Sequence, residues 1–341
     1  MVAGWTGGWT RQALEAAAKI ASLRFEGQRL TGRFQNVARV MVLAVLGLPL
    51  PASAGGIFAP FILHPVRRDI SAQQIADADR SFAQEHTTRT DFVVTAPDGI
   101  VLRGWKVRAA HSNGDWVLLL HGRSQNRLST IRYAEFLLGS GYSVLMMDAR
   151  AHGESGGTNA TYGHVERYDE RSIVDALTAA EHPQHIFAMG ESMGAAVALQ
   201  AAAIDPRIEG VVAEGAFRNL HEVFFDYAGL RVSAFLGKTF FRPAAMLAVH
   251  ETEHQVGFRL DDVSPEASVA ARRFPVLLIS GLSDHNVPKR HAEAIFLAAS
   301  GPKELWLVPK ARHQKAMQTA PEEFQSRVLR FFSHAQQVAS K

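Results

Sequence analysis

The residues best suited to covalent chemistry lie in Gly190-Glu191-Ser192-Met193-Gly194, a Gly-x-Ser-x-Gly pentapeptide. A serine hydroxyl is a weak nucleophile until a base takes its proton, and the base must be oriented by a carboxylate. Asp284, in Ser280-Gly281-Leu282-Ser283-Asp284-His285-Asn286-Val287-Pro288, and His313, in Lys310-Ala311-Arg312-His313, suit those two roles. The order Ser192, Asp284, His313 is one of the chain orders in which such a triad occurs. Acyl transfer through these groups also needs donors for the oxyanion of a tetrahedral intermediate. The amide of Met193, directly after the serine, is one candidate. The amide of Arg123, in His121-Gly122-Arg123-Ser124, is the other.

Presenting a hydroxyl in this way requires a sharp turn between a strand and a helix. The apolar run His185–Met189 suits a buried strand, and Ala195–Ala203 consists of good helix formers. The turn crowds the backbone at Ser192, so the residues two positions to either side must lack a Cβ. The hydroxyl then lies at the positive end of the following helix. Around this turn the chain alternates. Asp91–Thr95 and Ile100–Val107, joined at Pro97-Asp98-Gly99, form a predicted hairpin. Trp116–Leu120 is a continuous apolar run, as in a strand covered on both faces. Thr130–Leu138 and Glu166–Ala180 read as helices, and Tyr142–Met147 and Ile208–Ala213 as strands. Phe274–Ser280 (strand), His291–Ala299 (helix), Glu304–Val308 (strand) and Pro321–Phe332 (helix) follow. The alternation predicts an α/β fold with a mostly parallel central sheet and helices on both faces. Asp284 and His313 then follow successive strands, at the carboxyl ends where such sheets collect functional groups. Between Ala216 and Ser264 the alternation gives way to aromatic-rich segments, Phe224-Phe225-Asp226-Tyr227 and Phe235–Phe241, which read as a small inserted helical cap over residues 216–264. The aromatics of Phe217–Phe241 are expected to form cap core rather than line an acyl pocket.

Taken together, Leu120-His121-Gly122, Asp148-Ala149-Arg150-Ala151-His152-Gly153-Glu154-Ser155, Gly190–Gly194, Ser280–Pro288 and His313 resemble the α/β-hydrolase superfamily. The resemblance extends from Thr90 to Phe332. Within the superfamily the chain is most similar to serine-aminopeptidase-like, lipase/esterase-type hydrolases that carry an N-terminal membrane segment. Tyr162–Asp169 and Asp262-Val263-Ser264-Pro265 also resemble that branch. The resemblance implies serine-dependent acyl hydrolysis without naming a substrate; the expected one is a small acyl ester, cleaved without a metal or organic cofactor. A peptidase or thioesterase would use the same groups, and a membrane-anchored binding protein is the non-catalytic alternative. Arg123 departs from the pattern, since small or polar residues are usual there. Its guanidinium is expected to point to solvent, the alternative being a preference for acidic substrates.

Other residues compete for these roles. Glu214 also ends a strand and is a second candidate for orienting the base, with Asp284 favoured by its fuller motif. Asp148 and His152 suit bracing of their own turn, and His121 suits holding the oxyanion loop. His285 neighbours Asp284, but adjacent residues on a tight loop point apart, which leaves His313 as the base. His250-Glu251-Thr252-Glu253-His254 matches the His-Glu-x-x-His pattern of zinc peptidases. A charge at Glu253 and the lack of an obvious third ligand, Glu266 apart, weigh against it.

The chain has 341 residues, 47% hydrophobic and 20% charged, ordinary values for a globular protein. A net charge of +3 without a dense basic run gives no footprint for nucleic acid. Without cysteine there is no disulfide, thiol chemistry or thiolate-held metal. Residues 1–36 form a basic segment, and 37–66 form a hydrophobic one in which the 24 positions Val40–Leu63 carry no charge, enough to span a bilayer. Pro49, Pro51 and Gly55-Gly56 interrupt it. A membrane anchor is the favoured reading. The alternatives are a signal peptide, with Met41–Leu50 as its apolar region and cleavage near Ala54, and a helix packed on the domain. Arg24, Arg29, Arg33 and Arg39 precede the span against Arg67 and Arg68 after it, a bias that favours an exported catalytic domain. Residues 67–89 are then a linker and 90–335 the hydrolase-like domain.

Overall fold

The structure, a computed structural model, describes residues 63–228 and 242–339. The candidate membrane segment, Leu63 apart, and the cap aromatics Phe235–Phe241 lie outside them. Among the described residues no helix is long and apolar enough to cross a membrane.

Eight strands build one sheet: β1 (Arg89–Thr95), β2 (Val101–Val107), β3 (Trp116–Leu120), β4 (Ser143–Met147), β5 (Ile186–Glu191), β6 (Ile208–Glu214), β7 (Val276–Gly281) and β8 (Lys303–Val308). Their order across the sheet is β1-β2-β4-β3-β5-β6-β7-β8. The β1–β2 hairpin is antiparallel, β2 runs antiparallel to β4, and every pair from β4 to β8 is parallel. The helices are α1 (Ala72–Gln84) ahead of the first strand, α2 (Ile131–Gly139), α3 (Glu166–Glu181), α4 (Met193–Ile204), α5 (Leu220–Ala228), α6 (Arg242–Val256), α7 (Pro265–Ala271) and α8 (Arg290–Ala298) between strands, and α9 (Ala316–Thr319) and α10 (Pro321–Ala339) after the last. The expected α/β architecture is present, and α5 and α6 occupy the stretch read as a cap.

Because side chains alternate along a strand, each central strand feeds two cores. In β5, Ile186 and Ala188 pack with the Ala-rich helix α4 on one face. Phe187 and Met189 pack on the other with α2 and α10, where Phe187 stacks on Phe332 at 4.7 Å. Side chains the size of Ile186, Phe187 and Met189 each contribute roughly 1.5–3 kcal/mol by leaving water. Burial on both faces is why Trp116–Leu120 is apolar at every position.

Residues 67–89 are not the linker expected from the sequence. Ser71 caps α1 through a reciprocal pair, its Oγ accepting the Gln74 amide at 3.2 Å and its amide donating to Gln74 Oε1 at 2.9 Å. The helix then buries Phe82 edge-on against Trp105 at 6.5 Å. Upstream, the stretch from Leu63 is sewn to the loop after β4. The Ala160 amide donates to the Leu63 carbonyl at 2.8 Å. Arg67 donates to the carbonyls of Gly153, Ser155 and Gly157 at 2.9, 2.5 and 2.9 Å. The packed domain therefore takes in residues from 63 onward, not from 90.

That loop is itself braced by charge. Asp148, fully buried, accepts from the Arg127 amide at 2.8 Å, the Arg127 guanidinium at 2.5 Å and the Glu154 amide at 2.9 Å. Arg150 grips Asp169 of α3 with two bonds of 2.6 Å and reaches Asp98 of the hairpin turn at 2.9 Å. These contacts hold the loop against the hairpin and α3, close to the candidate site.

Candidate active site

Ser192 sits between β5 and α4 with φ 52° and ψ −111°, a left-handed backbone that costs a non-glycine residue about 1–3 kcal/mol. Two close approaches hold it there. A Cβ on Gly190 would lie 2.4 Å from the Gly194 carbonyl carbon, and one on Gly194 would lie 2.2 Å from the Leu120 carbonyl oxygen. The first contact folds the turn on itself, and the second presses the start of α4 against the loop that carries His121–Arg123. Gly194→Ala is expected to destabilise the protein by about 1–3 kcal/mol, since backbone must move to admit the methyl group. A denaturant midpoint equal to wild type would contradict that packing.

His313 reaches this turn from the loop after β8. Its Nε2 lies 2.9 Å from Ser192 Oγ, and its Nδ1 lies 2.7 Å from Asp284 Oδ2. A carboxylate only accepts, so Nδ1 carries the proton; Nε2 of the neutral ring is then free to accept from the serine hydroxyl. The second oxygen of Asp284 accepts the amides of Asn286 and Val287 at 2.8 and 2.9 Å, which fixes the carboxylate. Its side chain is 1% exposed and that of His313 15%. Gly215, with φ +66°, lies under the imidazole; a Cβ there would meet His313 Cε1 at 3.2 Å. No motif marked Gly215 in the sequence, because its partner lies on a distant loop. Three residues far apart along the chain thus meet in one hydrogen-bonded line.

Glu214 does not join it. Its carboxyl accepts the Ala316 amide and the Tyr133 hydroxyl, each at 2.9 Å, and so does not orient the imidazole. His285 is exposed beside the buried Asp284. His121 is fully buried, with Nδ1 2.8 Å from the Gly122 carbonyl and Nε2 accepting the Ala149 amide at 3.0 Å. Burial lowers its pKa to about 4, so at neutral pH it is an uncharged brace between the loops after β3 and β4. His152 stands edge-on to it at 5.0 Å and is likewise held neutral by burial, its pKa at about 4. The Arg123 side chain corrects the expectation that it points to solvent: it is half-buried and hydrogen-bonded to the buried Tyr162. Met193, buried, opens α4 directly after the serine, so its amide lies at the positive helix end.

The His250–His254 pattern falls on α6, with both histidines exposed and Glu253 accepting the Leu260 amide at 2.8 Å. Among the described residues no three His, Asp or Glu side chains gather closely enough to hold a metal ion. Of the cap aromatics, Phe217, Phe224 and Phe225 are buried in the same core as α4.

A family model described as "Alpha/beta hydrolase family" matches residues 117–326, from β3 into α10. The chain belongs to the α/β-hydrolase family. Among α/β-hydrolases of known structure it is similar to the esterase Pf2001 of Pyrococcus furiosus, with a TM-score of 0.63 and 26% identity over 80% of this chain and 99% of that one. An acylaminoacyl peptidase of Pyrococcus horikoshii shares the fold at 15% identity and a TM-score of 0.56, covering 72% of this chain and 41% of that one. In sequence the chain is similar to the uncharacterized protein YqkD of Bacillus subtilis, 29% identical over 67% of this chain and 74% of that protein. The uncharacterized protein Rv2307c of Mycobacterium tuberculosis is 30% identical over 70% of this chain and 75% of that one. The α/β-hydrolase sheet thus accounts for the site's place: all three aligned side chains stand just past the carboxyl ends of β5, β7 and β8.

Proposed function

We propose that this hydrolase is a serine esterase in which Ser192 is the nucleophile, His313 the general base and acid, and Asp284 the carboxylate that orients it. The observation that carries the reading is the continuous line Ser192 Oγ–His313 Nε2–His313 Nδ1–Asp284 Oδ2, at 2.9 and 2.7 Å. In the forward step Ser192 Oγ bonds to the acyl carbon while its proton passes to His313 Nε2. Asp284 stabilises the imidazolium without taking the proton. The amides of Met193 and Arg123 bind the oxyanion, and His313 then gives its proton to the leaving alkoxide. Water, deprotonated by the same imidazole, clears the acyl-enzyme and regenerates the serine.

The 26% identity with an archaeal esterase along nearly its whole length supports an ester over an amide substrate. The uncharged residues from Val40 up to the start of the packed domain at Leu63, and the arginines before them, support anchoring at a membrane, with the catalytic domain on the exported side. A fluorophosphonate should label Ser192 in the full-length protein, and p-nitrophenyl acyl esters should turn over with a preference among chain lengths. Failure of the label would remove the nucleophile assignment. Faster turnover of matched anilides or thioesters would remove the ester assignment and leave the triad.

A further inference from the structure

On the sheet face away from α4, two carboxyls lie buried side by side behind the serine. Glu191 ends β5, Glu214 ends β6, and the two are partners in the parallel register. They are 4% and 3% exposed. The Tyr133 hydroxyl of α2 stands between them, 3.3 Å from Glu191 Oε2 and 2.9 Å from Glu214 Oε2. Ser129 Oγ donates to Glu191 Oε1 at 3.1 Å, and the Ala316 amide donates to Glu214 Oε1 at 2.9 Å.

Counting protons restricts what this cluster can be. A phenol carries one proton and can donate to one of the two carboxyls only. With both ionised, a Glu191 oxygen would face the phenol oxygen with nothing between them, and two negative charges would share a site removed from water. We propose that Glu191, Tyr133 and Glu214 hold one extra proton, Glu191 donating to Tyr133 Oη and Tyr133 donating to the Glu214 carboxylate, and that this bridge positions Ser192 and His313. Glu214 is the better anion of the two, since it has the shorter phenol contact and a backbone amide as well.

The bridge touches both halves of the candidate machinery. The Glu214 carbonyl accepts the amide of Ser192 at 2.8 Å. Gly215, the next residue, lies under the His313 ring, and the Ala316 amide held by Glu214 belongs to the segment that follows His313. Burial, then the charge of Glu214, raises Glu191 to about 7, against a pull from Lys315 and bonds from Ser129 and Tyr133. Burial raises Glu214 as well; the Ala316 and Tyr133 bonds and His313 lower it, and Asp284 raises it. Loss of the Glu191 proton therefore falls near neutral pH. It sets a repulsion beside Ser192 and a second negative charge behind the position where the oxyanion forms, which raises the barrier to the tetrahedral intermediate. Glu191, Tyr133 and Glu214 act through other residues and are positioning residues.

The inference rests on the esterase reading only for its readout. The test is the pH dependence of kcat and KM for a soluble ester, using the full-length protein, Glu191→Gln and Tyr133→Phe. Wild-type kcat should decline above about pH 7, with KM little changed. Glu191→Gln mimics the protonated carboxyl: it should stay within roughly threefold of wild type at pH 6 and lose the alkaline decline. Tyr133→Phe removes the bridge and should lower kcat by roughly tenfold or more at constant KM. A wild-type kcat that is flat from neutral to alkaline pH overturns the proposal whether or not the variants fold, and so does an alkaline decline unchanged in Glu191→Gln. Fluorophosphonate labelling of Ser192 with either of those results would sink the shared proton and leave the esterase standing.

Discussion

Ser192→Ala is expected to lower kcat for an ester substrate by on the order of 10⁴-fold or more, with stability close to wild type. The hydroxyl makes no capping bond to α4, and its partner at 2.9 Å is His313, which keeps its bond to Asp284. Alanine inherits the same left-handed backbone, so the turn's cost is unchanged. Activity and folding should therefore separate cleanly, as measured by turnover beside a thermal melt. Turnover at the wild-type rate would dismiss this serine as the nucleophile.

Asp284→Asn is expected to cost about 10⁴-fold in kcat while leaving KM nearly unchanged. The asparagine oxygen can still accept the Asn286 and Val287 amides that hold the carboxylate at 2.8 and 2.9 Å. Its NH₂ group must then face His313 Nδ1, where only an unprotonated nitrogen can receive it. The ring is driven to the tautomer with hydrogen on Nε2 and cannot accept from the serine. Glu214→Gln touches neither ring nitrogen; with its oxygen kept for Ala316 its NH₂ faces Tyr133 and breaks that bridge, so its loss should match that of Tyr133→Phe, roughly tenfold, and stay far below that of Asp284→Asn. If the two losses were reversed, Glu214 would be the acid that orients the base and the contacts of His313 would have to rearrange in solution.

Much of this was legible in the sequence because it depends on local rules. The two glycines around Ser192 announce a close approach of backbone to backbone, and the apolar runs on either side announce what approaches. Asp284 and His313 were readable because each follows a recognisable strand in a parallel sheet. Helix α1 was missed although Ser71 and Gln74 spell its capping box and Ile75, Ala78 and Phe82 share one face, since that stripe is short and only Ala78 and Phe82 of it are fully buried. Long-range side-chain partnerships left no trace in any window. Tyr133 is 58 residues from Glu191 and 81 from Glu214, and a glutamate inside a Gly-x-Ser-x-Gly pattern reads as a spacer until the neighbouring strand is known. The inward turn of Arg123 was hidden for the same reason, as Tyr162 reaches it from a different loop.

The stitching of Leu63 and Arg67 to the loop after β4 bears on more than stability. Val66 donates its amide to Ser124 Oγ at 3.1 Å, one residue beyond Arg123. The stretch from Leu63 to Arg67 is therefore tied to two loops at once, the one after β4 and the one after β3 that carries Arg123, so a substitution that loosens it disturbs both.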